Sequence, residues 1–162
     1  MNIAYLVLGS NLGDRQRHLS TARKKIEESG IDIIKTSAIY ETEPWGVTDH
    51  PNYLNQAIAI QTTRYPFGLL KKLQQIEHAM GRNTKGDYAP REIDIDIIYF
   101  NDWIIETAEL IIPHPRLPLR KFVLVPVREI AGDLTDPVSK NTLSELIRQC
   151  NDDTKIHILD KA

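Results

Sequence analysis

The sequence is poor in the features that would take it away from ordinary water-soluble domains. Cysteine occurs once in 162 residues, at Cys150. One thiol can form neither an intramolecular disulfide nor a cysteine-based zinc site. No electropositive surroundings mark Cys150 as reactive, so it reads as a structural residue. Long hydrophobic runs are missing too: the early stretch Ile3–Leu8 falls far short of the roughly 20 residues that span a bilayer. No basic segment precedes it as in a secretory leader, so a cytoplasmic chain with no membrane partner is expected. Nor is there an excess of one charge. Lys and Arg total 20 against 22 Asp and Glu, a net charge of -2, which argues against coating nucleic acid by bulk charge. The nucleotide and metal motifs G-x-x-x-x-G-K-[ST], G-x-G-x-x-G and H-E-x-x-H are absent.

What is present suits one globular domain over residues 1–162. Hydrophobic residues make up 41% and charged residues 26%, and a chain of this size buries roughly 68–70% of its unfolded surface. Residues 3–9 read as a buried strand. Residues 14–29 read as a helix capped by Asp14, with Leu19, Ala22, Arg23 and Ile26 at helical spacing. Strands follow at 31–40 and 53–63, separated by a connection that Pro44, Gly46 and Pro51 keep irregular. Pro66 suits the first turn of a helix to about Met80, with Leu69, Leu70, Leu73 and Ile76 on its apolar stripe. After an irregular stretch at 81–91 comes a strand at 93–100. The order β-α-β-β-α-β predicts a ferredoxin-like α+β sandwich: an antiparallel sheet with both helices on one face. A C-terminal extension adds a hairpin near 102–112, a basic loop at 113–121, a helix near 122–131, and a final helix and strand.

The most informative local pattern is Arg91-Glu92-Ile93-Asp94-Ile95-Asp96. Strand side chains alternate, so Ile93, Ile95 and Ile97 share one face and Asp94 and Asp96 the other. Two residues at about 3.3 Å each separate the carboxylates by roughly 6.6 Å along the strand. Such a pair on its own also fits a solvated outer face. Here Arg82, Lys85 and Arg91 precede the strand, and His114, Arg116, Arg120 and Lys121 follow it. Carboxylates that could hold Mg²⁺ beside cations suggest a site for a polyphosphate. Trp45, Tyr53 and Phe122 offer flat apolar surfaces, and Asn55 offers both donor and acceptor, a mixture suited to a planar heterocycle. The same aromatics could equally fill the core beneath a loop. An RNA-binding sheet lacks its K/R-G-F/Y-G/A-F signature here. A Mg²⁺-dependent phosphodiesterase remains a rival that would need no acceptor alcohol.

Taken together, LGSNLGD at 8–14, Y-E-T-E-P-W-G at 40–46, P-N-Y-L-N at 51–55, Q-x-x-E at 74–77, Gly81-Arg82, P-R-E-I-D-I-D-I at 90–97 and I-P-H-P-R at 112–116 resemble one family. It is that of the 6-hydroxymethyl-7,8-dihydropterin pyrophosphokinases of folate biosynthesis, and the resemblance spans about residues 3–130. It implies transfer of pyrophosphate from ATP to the pterin hydroxymethyl group, releasing AMP, on a ferredoxin-like fold. It implies two Mg²⁺ ions on Asp94 and Asp96, with Arg82 and Arg91 acting on the phosphates. The pterin would lie between Tyr53 and Phe122, beside Gly9, with Asn55 and the chain around Thr42, Pro44 and Trp45 reading its edge. ATP would meet Gln74, Glu77, Ile97, His114, Arg116 and Arg120. The partners implied are the two substrates, with no nucleic acid and no obligate protein. The loop 82–91 departs from the family pattern, which often has a further arginine and a tryptophan followed by glycine. Lys85 and Tyr88 lie in that loop, and lysine does not reproduce a bidentate arginine contact.

Overall fold

The computed structural model describes residues 1–42, 52–81 and 92–159. Strand β1 (Asn2–Ser10) is followed by helix α1 (Arg15–Glu28), β2 (Asp32–Thr36), β3 (Tyr40–Thr42), β4 (Tyr53–Thr62), α2 (Pro66–Ala79) and β5 (Asp94–Phe100). Then come a hairpin of β6 (Ile105–Glu106) and β7 (Ile111–Ile112), a 3-10 turn (Leu117–Leu119), α3 (Lys121–Ala131), α4 (Leu143–Gln149) and β8 (Ile156–Ile158). The main sheet runs β5-β1-β4-β3-β8, and β2 also pairs with β4. All its pairings are antiparallel. The central order β5-β1-β4-β2 is that of the predicted ferredoxin-like sandwich.

Local chemistry starts and stops the helices. Asp14 caps α1 by accepting a hydrogen bond from Arg17 N at 3.2 Å, after a turn in which Gly13 has a φ of 69°. Leu19, Ala22 and Ile26 form its buried stripe, while Arg23 is half-buried and donates to Gln56 of β4. Pro66 opens α2, where its missing N–H costs no hydrogen bond. Gly81, at a φ of 98°, turns the chain away after the helix.

Two apolar clusters sit on opposite faces of the sheet. Leu6, Leu8, Ile58, Ile60, Ile95 and Ile97 pack with Leu19, Ile26, Leu69 and Leu73 of the first two helices. Val7, Ala57, Ala59, Ile98 and Tyr99 pack with Val123, Leu124, Val127, Leu143 and Leu146. The two predicted helices therefore share one face, and the C-terminal extension covers part of the other. A bulge allows this. Pairing steps from Tyr5–Tyr99 to Leu6–Ile97, so Ile98 is the additional residue. Ile98 and Tyr99 thus both enter the second cluster.

One prediction needs correction. The expected continuous strand at 31–40 is two strands, because Ser37 interrupts the ladder. Its hydroxyl accepts from Ala57 N at 2.9 Å, taking the place of a strand carbonyl. The chain rejoins β4 at Tyr40, opposite Asn55.

Tyr99 anchors the extension to the sheet. It is 1% exposed and donates to Asp136 Oδ2 at 2.6 Å. Burial, and then the hydrogen bond and charge of Asp136, push its phenol far above the ordinary value. Tyr99→Phe should leave a buried carboxylate oxygen without this donor and cost about 1–3 kcal/mol. Urea unfolding should show the lower midpoint with an unchanged slope; a midpoint equal to wild type would deny the anchor.

Candidate active site

The antiparallel registers bring polar residues from three strands, and Gly9 from a fourth, to one end of the sheet. Gly9 of β1 lies opposite both Asn55 of β4 and Asp94 of β5. Directly opposed residues share a face, so Asp94, Gly9 and Asn55 form a row. Tyr40 extends it on β3, opposite Asn55. One step inward, Asp96 lies opposite Val7; one step outward, Tyr53 lies opposite Thr42. Thr42 and Asn55 are both buried, and Asn55 Nδ2 donates to Thr42 Oγ1 at 3.3 Å.

Gly9 keeps the middle of this row low. A Cβ built there would stand 3.0 Å from Asn55 Oδ1 and 3.8 Å from the Tyr53 ring. Asp94 and Asp96 are half-buried, while Ile93, Ile95 and Ile97 are buried in the core beneath. The predicted division of this strand into an acidic face and an apolar face is therefore present.

The segment after β7 runs along the outer edge of β5. His114 N donates to Ile98 O at 3.1 Å, which sets the imidazole near the acid pair. Burial, with the Arg120 charge next, pushes His114 down to about 4; Asp94 pulls the other way and Arg116 adds to the lowering. The ring is neutral at pH 7. Its Nδ1 accepts from Arg116 N at 3.2 Å, which assigns the proton to Nε2 and makes that nitrogen a donor. The Arg120 guanidinium carbon lies 5.7 Å from the centre of the Phe122 ring, a cation–π contact that orients both side chains.

Other expected residues stand apart from this cluster. Gln74 is exposed on α2. Glu77 is buried, and its carboxylate accepts from Ile95 N at 2.7 Å, joining α2 to the strand that carries the acid pair. The Ile97 side chain points into the core on the helix-covered face. Pro44, Trp45, Arg82, Lys85, Tyr88 and Arg91 lie outside the described residues. A separate pocket of ≈ 440 Å³, lined by Arg23, Ser37, Gln56 and Glu129 among others, contains none of the expected site residues.

Sequence reasoning missed Asp152. Its Oδ2 accepts from Lys121 N at 3.1 Å and its Oδ1 from Thr154 N at 3.0 Å, so the C-terminal segment caps the helix that begins between Arg120 and Phe122. Burial works against ionisation of this carboxyl. The hydrogen bonds from Thr154 and Lys121, with the Lys121 charge, outweigh it and hold the group below the usual carboxylate range.

A family described as 7,8-dihydro-6-hydroxymethylpterin-pyrophosphokinase (HPPK) matches residues 5–132. A Bacillus subtilis 2-amino-4-hydroxy-6-hydroxymethyldihydropteridine pyrophosphokinase is 46% identical over 149 residues, covering 91% of this chain and 89% of that one. The Haemophilus influenzae protein of the same description is 38% identical, over 98% of this chain and 99% of its own. Among solved structures, a Plasmodium falciparum HPPK-DHPS with STZ-DHP superposes with a TM-score of 0.73 at 17% identity. It shares the fold over 91% of this chain, which spans 45% of that longer one. The family match and these relatives define a diphosphotransferase that uses ATP as co-substrate. The chain belongs to the 7,8-dihydro-6-hydroxymethylpterin-pyrophosphokinase family. Its reaction is pyrophosphoryl transfer to hydroxymethyldihydropterin in folate biosynthesis. No helix among the described residues is long and apolar enough to cross a membrane.

The helix cap gives a test. Asp152→Ala should lower stability by about 1 kcal/mol, the usual cost of losing a cap. Because the folded carboxyl titrates below its unfolded value, its charge contribution is complete above about pH 5 and fades as pH falls through about 4 and below. Asp152→Asn should retain an acceptor but flatten that acid limb in thermal melts. Identical limbs would show that the charge contributes nothing.

Proposed function

We propose that the family reaction takes place over the Asp94–Gly9–Asn55 row, with the pterin on the Asn55 side and the triphosphate on the acidic side. The observation that carries this reading is the register that sets Gly9, which has no side chain, between Asn55 and Asp94, with the Asn55 amide oxygen and the Tyr53 ring beside the place a Cβ would take. A planar heterocycle can lie on a glycine where any side chain would lift it. Asn55 would pair with its polar edge, the Tyr53 and Phe122 rings would cover its faces, and backbone around Thr42, Pro44 and Trp45 would complete the edge contacts.

Asp94 and Asp96 suit Mg²⁺. They supply hard oxygen donors from one face of one strand, in the numbers that Mg²⁺ takes from protein when substrate phosphates and water fill its other positions. Two ions are expected there. Bound Mg²⁺ would neutralise charge on the phosphate oxygens.

The remaining work falls to the chain. The pterin hydroxymethyl oxygen attacks the β-phosphorus of ATP and releases its proton to water; the bond from that phosphorus to the α-phosphate's bridging oxygen breaks, and AMP leaves with that oxygen. Negative charge grows on the departing oxygen, so fixed donors there lower the barrier. His114, neutral and with Nε2–H as donor, would bond a phosphate oxygen. Arg116 and Arg120 would neutralise the triphosphate, and stacking on Phe122 would hold Arg120 in position while linking the ATP and pterin halves. Arg82 and Arg91 would act on the transferring phosphates. Glu77 would serve indirectly, by holding β5 through Ile95 N, while Ile97 would offer ATP its backbone and Gln74 would meet the nucleotide from the exposed face of α2. Both substrates are water-soluble, which supports a cytoplasmic setting, and the chemistry requires neither nucleic acid nor a protein partner.

Product analysis with Mg²⁺, ATP and the pterin alcohol should give AMP and pterin pyrophosphate. ADP and a pterin monophosphate would refute the transfer proposed. Asp96→Ala should reduce kcat at least about 10³-fold, the scale of losing a principal electrostatic group, with the fold retained by circular dichroism. Activity near wild type would remove Asp96 from the metal site. Gly9→Ala should raise the pterin KM about tenfold or more, as expected for a displacement of about an ångström, with ATP affinity little changed. Equal loss for both substrates would place the pterin elsewhere.

A further inference from the structure

Arg15 has no place in the roles assigned so far, although it touches β3 and the residue that leads into β4. It is the first residue of α1, a few residues beyond Gly9. Its Nη1 donates to Glu41 Oε2 at 3.0 Å and to the backbone oxygen of Asn52 at 2.8 Å. Glu41 lies in β3 immediately before Thr42, and Asn52 immediately before Tyr53, the first residue of β4. Thr42 and Tyr53 face each other as a pair. One guanidinium nitrogen therefore joins the start of α1 to both strands, next to the residues proposed to contact the pterin.

Pairing between β3 and β4 fixes those strands relative to each other. The β1–β4 ladder ties Gly9 and Ser10 to Asn55 and Leu54, and ends one residue short of the Tyr53–Thr42 pair. Arg15, from the start of α1, holds the strand ends beyond that point. Arg15 and Glu41 keep 29% and 30% of their side-chain surfaces exposed, and ion pairs so placed add little to global stability. A rigid planar donor bridging a carboxylate and a carbonyl has geometric value instead. We propose that Arg15 is a positioning residue of the pterin pocket, holding Thr42 and Tyr53, at the strand ends, against the turn that follows β1 through Glu41 and the Asn52 carbonyl. The inference rests on the pterin reading given above. It assigns Arg15 no contact with substrate and no part in the bond-making step.

The test compares Arg15→Ala, Arg15→Lys and Glu41→Gln with wild type in full steady-state kinetics, with Asn55→Ala as the control for the pocket. Arg15→Ala should raise the pterin KM about tenfold, the scale of a small misplacement, while ATP KM and kcat stay within about threefold. Arg15→Lys should recover part of the loss, because an ammonium can still bond both oxygens without the planar geometry. Glu41→Gln should fall between wild type and Arg15→Ala, since the Asn52 bond survives. Melting temperatures should remain close together, separating this role from a general loss of fold. An unchanged pterin KM in Arg15→Ala, or equal rises for pterin and ATP, would overturn the proposal while Asn55→Ala still shows the pterin defect. A normal pterin KM in Asn55→Ala would instead overturn the pocket, and the positioning role with it.

Discussion

The polar row hangs from one arrangement: the antiparallel register that sets Gly9 of β1 between Asn55 of β4 and Asp94 of β5. A register shift of one residue on any of these strands would send its side chain to the helix-covered face. Such a shift is opposed from beneath. Leu6 and Leu8 alternate with Val7 and Gly9 on β1, and Ile95 and Ile97 alternate with Asp94 and Asp96 on β5. A slip would bury carboxylates among Leu19, Ile26, Leu69 and Leu73 while exposing isoleucines. The packing of the core and the placement of the acids are thus one requirement met by one pattern.

A second level of order comes from outside the six-element sandwich. The segment through His114 follows the edge of β5, and α3 lies across the other face. Val7, Ala57, Ala59, Ile98 and Tyr99 are covered by this extension, whereas the row through Gly9 belongs to the polar end of the same face. The boundary between covered and polar surface is set partly by Tyr99 and Asp136, and partly by Asp152 at the start of α3. These contacts are remote from the acid pair in sequence, yet they decide where the side chains of Arg120 and Phe122 begin.

Much of this was legible in the sequence because strand alternation and helix spacing are local. The faces of Ile93–Ile97, the cap at Asp14 and the proline at the start of α2 follow from neighbours along the chain, and the structure agrees. The resemblance to the pyrophosphokinases identified the chemistry that such local rules left open. What remained hidden depended on partners distant in sequence. Ser37 breaks its strand because its hydroxyl meets Ala57 N. Glu77 reads as one more acid on a helix until β5 arrives beside it to offer Ile95 N. Arg15 and Asp152 carry no motif, since each acts on a backbone group whose position only the assembled fold supplies. Coverage of the second face by α3 was equally unreadable: its buried stripe shows that something is covered without saying what.

The interrupted strand at Ser37 also bears on how copies of this protein meet one another. A sheet whose margin runs long and straight offers a ready template for another chain. Here one margin is formed by β2, with a register irregularity between Ile33 and Lys35, and by β8, which is three residues long. The break at Ser37 separates these pieces, so neither presents an extended row of amides. On the opposite margin, His114 N already occupies the carbonyl of Ile98. The same irregularities that complicate the ladder leave little continuous edge among the described residues on which a foreign strand could be added, a form of protection against aggregation that consists of interruption more than of charge.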